Sequence, residues 1–148
     1  SIEIPKGVTE IAETAFVDCK ELQEIKFSEN SELVIIKENA FKRSSIISIK
    51  VPKGVKKICA NAFKECLFLE KITFYNDSAL EIIGSNAFYR TSIKEITIPP
   101  HVKEISDQAF FMCEQLKINE EEDDKEKDDE EEDDEEEKDL SDSSDSSD

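Results

Sequence analysis

Hydrophobic side chains in the first 119 residues fall into short apolar-polar-apolar runs, not into the three-to-four spacing of a helix. Ile2-Glu3-Ile4, Ile25-Lys26-Phe27, Ile49-Lys50-Val51, Ile72-Thr73-Phe74 and Ile96-Thr97-Ile98 each have the period of a strand that buries one face. Pro5, Pro52 and Pro99 follow three of these runs, and the polar turns Ser28-Glu29-Asn30-Ser31 and Asn76-Asp77-Ser78 follow the other two. The alternation predicts Ile25, Phe27, Ile49, Val51, Ile72, Phe74, Ile96 and Ile98 inside, with Glu3, Lys26, Lys50, Thr73 and Thr97 outside. Beside them run two flanking rows, Gln23, Ile47, Glu70 and Lys94, and Glu24, Ser48, Lys71 and Glu95. On this outward face Ile47 is the single exposed hydrophobe and no aromatic is expected.

These strands belong to a repeat. The dipeptide Ala-Phe ends at Phe16, Phe41, Phe63, Phe88 and Phe110, with spacings of 25, 22, 25 and 22 residues, so two units make a 47-residue double repeat. Odd units share Pro5, Pro52 and Pro99, then Val8, Val55 and Val102, then Ile11, Ile58 and Ile105, and then Cys19, Cys66 and Cys113. Even units share Leu33 and Leu80, Ile36 and Ile83, Asn39 and Asn86, and Arg43 and Arg90. A unit of about 23 residues cannot bury its own Ile and Phe side chains, but stacked units turn each of them into a ladder with a continuous core.

An odd unit reads Ile-x-Ile-Pro-x-x-Val-x-x-Ile-x-x-x-Ala-Phe-x-x-Cys-x-x-Leu. This pattern resembles the leucine-rich repeat family, in its Ile/Phe-rich BspA-like surface-antigen subclass, over residues 2 to about 118. The even units depart from it by placing Ser44-Ser45 and Thr91-Ser92 where the odd units have Cys, and Ile118 stands one place early after Leu116. The resemblance implies an α/β repeat solenoid: a right-handed coil of five turns with a parallel β-sheet on one side and short strands or helical turns on the back. It also implies non-catalytic protein binding, as in cell-surface adhesion or capture of host proteins, with the sheet face as the ligand surface. Candidate partner-binding residues there are Lys26, Ile47, Lys50, Lys71, Thr73, Lys94 and Thr97.

Candidate chemistry adds little. Cys19, Cys66 and Cys113 occupy equivalent positions two coils apart, roughly 10 Å at about 4.8 Å per stacked strand, beyond the roughly 7 Å that a disulfide spans. Cys59 stands where sister units have Ala12 and Ser106, without an in-phase partner, and no Cys/His spacing of a zinc site occurs. Buried free thiols are therefore expected, which fits a reducing compartment. His101, the only histidine, replaces Gly7 and Gly54 in a turn. No nucleophile elbow, phosphate-cradling Gly loop or metal-binding His pair is present, so neither catalytic residues, metal nor cofactor are expected.

Charge divides the chain in two. Residues 120–148 hold 20 acids and 3 lysines, leaving 17 acids and 16 bases before them, although the whole chain has a net charge of -18. That string, with Leu140 its one hydrophobe, is too charged to build a core, so the predicted organisation is a leucine-rich repeat domain over 1–119 and a disordered acidic tail over 120–148. Three roles stay open for the tail. It solubilises an open sheet edge, it engages basic proteins such as histones, as the architecturally similar acidic leucine-rich nuclear phosphoproteins imply, or it binds calcium weakly without an EF-hand spacing. Direct nucleic-acid binding is not expected of it. Ser141, Ser143, Ser144, Ser146 and Ser147 are candidate sites for an acid-directed kinase, and Asn76-Asp77-Ser78 is a glycosylation sequon that matters only in a secreted chain. No apolar run reaches the roughly 18 to 20 residues of a membrane-spanning helix. The residues alone fit the cytoplasm or nucleus, and the resemblance implies the cell surface or secretion. An opening on Ser1 without end caps also fits a partial copy of a larger array.

Overall fold

The computed structural model describes residues 1–120, and the acidic segment beyond them, with its candidate phosphorylation serines, lies outside the described residues. In chain order the strands are β1 (Ile2–Ile4), β2 (Glu10–Ile11), β3 (Ile25–Phe27), β4 (Ile35–Ile36), β5 (Ser48–Val51), β6 (Lys57–Ile58), β7 (Lys71–Phe74), β8 (Ile82–Ile83), β9 (Glu95–Ile98), β10 (Glu104–Ile105) and β11 (Lys117–Glu120). Odd-numbered strands build the broad face, in the orders β1-β3 and β11-β9-β7-β5, and even-numbered strands build the back sheet, β10-β8-β6-β4-β2. All pairings are parallel, as a coiling chain requires, and the result is a parallel β-solenoid of about five turns.

No α-helix occurs among the described residues, which corrects the expected α/β class. The reason lies in the Ala-Phe segment. Each coil carries two left-handed residues there, at Thr14 and Asp18, Asn39 and Arg43, Asn61 and Glu65, Asn86 and Arg90, and Gln108 and Met112. A left-handed residue every fourth position interrupts any helical nucleus before it can propagate. The segment is instead a corner of successive turns, in which Ala15, Val17 and Cys19 donate their N–H groups to the carbonyls three residues back. The residues between them donate to the next coil: Thr14 to Glu38 O, Phe16 to Ala40 O and Asp18 to Lys42 O, at 3.2, 2.7 and 2.9 Å.

The core is a set of ladders. Phe16, Phe41, Phe63, Phe88 and Phe110 stack at centroid distances of 5.1, 5.2, 5.3 and 5.4 Å, with ring planes within 7° of parallel. Phe41, Phe63 and Phe88 are fully buried, each contributing about 1.5 to 3 kcal/mol of transfer free energy, while Phe16 and Phe110 at the ends are half-buried. Ile25, Ile49, Ile72 and Ile96 make the inner face ladder, and Ile11, Ile36, Ile58 and Ile83 make that of the back sheet.

All four cysteines are free thiols, as the spacing requires. Cys19, Cys66 and Cys113 alternate along one ladder with hydroxyls: Cys66 Sγ donates to Phe41 O of the preceding coil at 2.9 Å and touches Ser44 Oγ at 3.6 Å. Cys113 repeats this against Phe88 O at 2.9 Å and Thr91 Oγ1 at 3.3 Å. Ser44 and Thr91 therefore fill the Cys position of the even units, and they are buried polar groups of the core. Burial pushes the Cys66 thiol up to about 11.

The face ladder alternates between tight and open junctions. Pairing covers three residues at β1-β3 and four at β5-β7 and β9-β11. It covers a single pair at β3-β5, Glu24 with Ser48, and again at β7-β9, Lys71 with Glu95. The open junctions follow the strands that carry long polar turns. Phe27 and Leu33 are six positions apart, whereas Val51 and Val55, across a Pro-x-Gly turn, are four apart. The long turns are pinned identically, with Ser31 Oγ accepting from Leu33 N and Ser78 Oγ from Leu80 N, both at 3.2 Å. The 47-residue double repeat thus becomes a two-coil alternation in how closely face strands approach. The final unit keeps its register despite the early Ile: Ile118 pairs with Ile96 because the chain passes from Leu116 straight into the strand and omits the position held by Gln23, Ile47, Glu70 and Lys94.

Candidate functional site

The two open junctions are clefts on the sheet face. The first, of about 790 Å³, lies over β3 and β5, with Lys26 and Lys50 on its floor and Ser28, Lys53 and Tyr75 at its rim. The second, of about 480 Å³, lies over β7 and β9 and is lined by Lys71, Thr73, Lys94 and Thr97, with Tyr75 and Asn76 at the same end. They are equivalent places one double repeat apart, and Tyr75 borders both. The face thus brings together six of the seven residues expected there. Ile47 lines neither cleft and stands exposed on the flank.

Tyr75 corrects the expectation of a face without aromatics. It is 40% exposed, and Lys50 Nζ lies over its ring, 4.1 Å from the centroid. A cation held there gains a modest attraction from the ring quadrupole and keeps the aromatic upright at the cleft mouth. The available signal was position: Tyr75 occupies the turn place held by Ser28 in the sister unit, where an aromatic has no packing role. The lysines differ in their pairing. Lys26 lies 3.8 Å from Glu24 and Lys53 lies 3.9 Å from Asp77, in exposed pairs of small worth. Lys50, Lys71 and Lys94 have no carboxylate within 4.0 Å among the described residues, so their charges are available to a partner.

A second feature runs along the corner. Its outward left-handed positions alternate in charge, Asp18, Arg43, Glu65 and Arg90, and end on Met112. Arg43 grips Asp18 through two hydrogen bonds of 2.8 and 3.0 Å, and these hold the Asp18 carboxyl below its ordinary range. Leu67, Phe68, Phe111 and Met112 are exposed around the C-terminal part of the corner, apolar surface that the sequence reading passed over. Asn76 of the sequon is exposed in its turn, and His101 is exposed in the turn after Pro99. Among the described residues no three His, Cys, Asp or Glu side chains stand close enough to hold a metal ion, and no helix is long and apolar enough to cross a membrane.

An array of about 23-residue coils with a parallel face, an Ala-Phe corner and a Phe ladder defines a leucine-rich repeat solenoid. The model of the BspA-type leucine-rich repeat region matches residues 1–117 as six copies, and the chain belongs to that family. The structure is similar to that of the pneumococcal vaccine antigen PcpA, with a TM-score of 0.77 and 31% identity, over 81% of this chain and 30% of that one. It is also similar to a leucine-rich cell surface protein of Faecalibacterium prausnitzii, with a TM-score of 0.62 and 25% identity, over 80% of this chain and 38% of that one. A leucine-rich repeat protein of Bacteroides ovatus gives a TM-score of 0.62 and 27% identity, over 81% of this chain and 36% of that one. The chain therefore spans about a third of the length of these proteins. No curated protein matches it.

Proposed function

We propose that this chain is a non-catalytic protein-binding module that works at a cell surface and receives a segment of a host protein on its sheet face. One observation carries the reading: the pair of equivalent clefts flanking Tyr75, an aromatic anchor beside cations that have no acidic partner in the described residues. Tyrosine is one of the side chains that, with tryptophan and arginine, carry most of the binding energy at protein interfaces, and the lysines beside it add complementarity to an acidic partner. The likeness to PcpA and to the Faecalibacterium cell surface protein supports the location. On this reading Asn76, at the rim of the second cleft, is the glycosylation acceptor if the chain passes through a glycosylating compartment.

The test is binding to immobilised extracellular-matrix proteins by biolayer interferometry, with the double variant Tyr75→Ala, Lys50→Glu compared with the back-sheet variant Lys57→Glu. The face variant should bind at least about tenfold more weakly, a loss of about 1.4 kcal/mol, and the back variant should match wild type. Equal binding by all three would remove the face from the account, and binding by none would remove the surface-adhesion reading.

The charge distribution favours a second reading. We infer that residues 120–148, with 20 acids against 3 lysines, form a separable segment able to engage basic proteins such as histones inside a cell, where Ser141, Ser143, Ser144, Ser146 and Ser147 would be phosphorylated. Histone binding that persists unweakened at high salt would contradict it, since contacts of this kind are screened.

A further inference from the structure

The open junctions of the face differ from the closed ones in their main chain. Where β1 meets β3, Ile2 N donates to Glu24 O and Ser28 N donates to Ile4 O, both at 3.1 Å, so the N–H groups of Lys26 and Ser28 face β1. Alternation turns the N–H and C=O of Phe27 the other way, toward β5. Continuing the register of Glu24 with Ser48 puts Phe27 opposite Val51, and the next residue, whose N–H would reach Phe27 O as Ser28 N reaches Ile4 O, is Pro52. In β7 the N–H groups of Lys71 and Thr73 face β5, so Phe74 turns its own toward β9. The register of Lys71 with Glu95 then puts Phe74 opposite Ile98, and Pro99 follows. Proline has no N–H, so neither ladder can close onto the Phe carbonyl.

The strand across each gap is unpaired as well. Among the described residues only Glu24 with Ser48 joins β3 to β5, and only Lys71 with Glu95 joins β7 to β9, so the N–H of Lys50 and, in the equivalent place, of Thr97 have no strand partner. Phe27 and Lys50 line the first cleft, and Phe74 and Thr97 line the second. Each cleft thus has on one wall a residue that offers both N–H and C=O, the pair an edge strand offers to an incoming strand. Backbone groups that face an open cleft are satisfied by water, which the main chain of a ligand can replace. The volumes, about 790 and 480 Å³, fall within the roughly 300 to 1,000 Å³ of ligand-binding clefts.

We propose that each cleft takes a short extended segment of a partner protein and reads its main chain, with Phe27 in the first cleft and Phe74 in the second exchanging N–H and C=O with one residue of that segment. The inference rests on the sheet face being the ligand surface, and it names the chemistry that the face reads. The donor and acceptor carried by a single strand residue match those of an extended backbone, and side-chain contacts such as that of Tyr75 on the rim add selectivity. A helical ligand uses its own N–H and C=O groups internally and has none to offer. Phe27 and Phe74 stand 47 residues apart, so the double repeat builds the same receptor twice.

The experiment follows amide hydrogen exchange in the full 148-residue chain with a millimolar peptide of alternating threonine and valine, flanked by lysines for solubility, and with the same peptide N-methylated at every amide. Exchange at Phe27 and Phe74 should slow by about tenfold or more with the parent peptide, stay as it was with the methylated one, and not change at Thr73 in the closed ladder. No slowing with the parent peptide would overturn the proposal, as would equal slowing by the methylated one, which would assign the clefts to side-chain contacts alone. Slowing on raising the protein concentration without peptide would also overturn it and assign the clefts to a second copy of the chain. Binding to matrix proteins separates the two levels: its loss in the Tyr75→Ala, Lys50→Glu variant without protection by the peptide would keep the sheet face as ligand surface and remove main-chain recognition.

Discussion

Replacing Phe63 by Ala removes the middle ring of the stack. That ring is fully buried and lies 5.2 Å from Phe41 and 5.3 Å from Phe88. Loss of transfer free energy accounts for about 1.5 to 3 kcal/mol, and the cavity left between two rigid coils brings the cost to about 3 to 5 kcal/mol. Part of that sum is the aromatic packing itself, about 0.5 to 1.5 kcal/mol for each of two neighbours. The same change at Phe16 removes a half-buried ring with one stacking partner, so it should cost about half as much. In a solenoid each coil is held by its neighbours, so the middle change also weakens the coupling of the two halves. Against a total stability of about 5 to 15 kcal/mol that loss should be plain in urea unfolding followed by far-ultraviolet circular dichroism, as an earlier and broader transition. Equal loss of stability in the two variants, or a loss below about 1 kcal/mol in Phe63→Ala, would refute the buried Phe stack as a main source of stability.

Gly84→Ala should destabilise by about 1 to 3 kcal/mol in the same assay, because a Cβ there would stand 2.6 Å from Ala60 N and 2.8 Å from the Cys59 carbonyl carbon. Gly7→Ala, with nothing within 4 Å, should stay within about 0.5 kcal/mol of wild type. Asn61→Ala should cost about 1 kcal/mol, since Asn tolerates the left-handed φ of 61° and Ala does not. The Cys66 thiol, raised from 9.0 to about 11, holds its proton more tightly folded than unfolded. Its contribution to stability is complete below pH 9 and lost as pH rises through about 11, so wild type should lose more stability than Cys66→Ala over that window, by denaturation at each pH. In the native protein a thiol reagent should label half-buried Cys19 before buried Cys59 and Cys66.

The repeat, the inward Ile and Phe positions and the unpaired thiols were legible because each depends on spacing alone. Nothing in apolar periodicity distinguishes a helical turn from the turn corner that replaced it; the decision rests on backbone handedness at Asn39, Asn61 and Asn86, where Asn is the one visible signal. Six of the seven face residues line the clefts, yet the clefts themselves were hidden, since they arise from two extra turn residues acting on the next coil's approach. Ile118 was misleading for a related reason. The count from Leu116 put Ile118 one place early and out of register, whereas the hydrogen-bond ladder keeps Ile118 beside Ile96 and the deletion falls in the connection.

A ligand site on the sheet face requires that β3 and β5 stand apart while β5 and β7 stay paired, and amide hydrogen exchange reads both junctions in one protein. Lys71 N donates to Ile47 O, and in the first coil Ile2 N donates to Glu24 O of the next strand, so the N–H groups of the equivalent Ile49, of Val51 and of Thr73 lie within the β5-β7 ladder, while by alternation that of Lys50 faces β3. Only the Glu24-Ser48 bridge joins β3 to β5 among the described residues, so Lys50 N has no strand partner, whereas Ile49, Val51 and Thr73 lie in a four-residue ladder. The expected result is exchange at Lys50 about tenfold or more faster than at Ile49, Val51 and Thr73, as loss of a hydrogen bond worth about 1 kcal/mol and its shielding implies. Equal protection at the four amides would close the clefts and contradict the account.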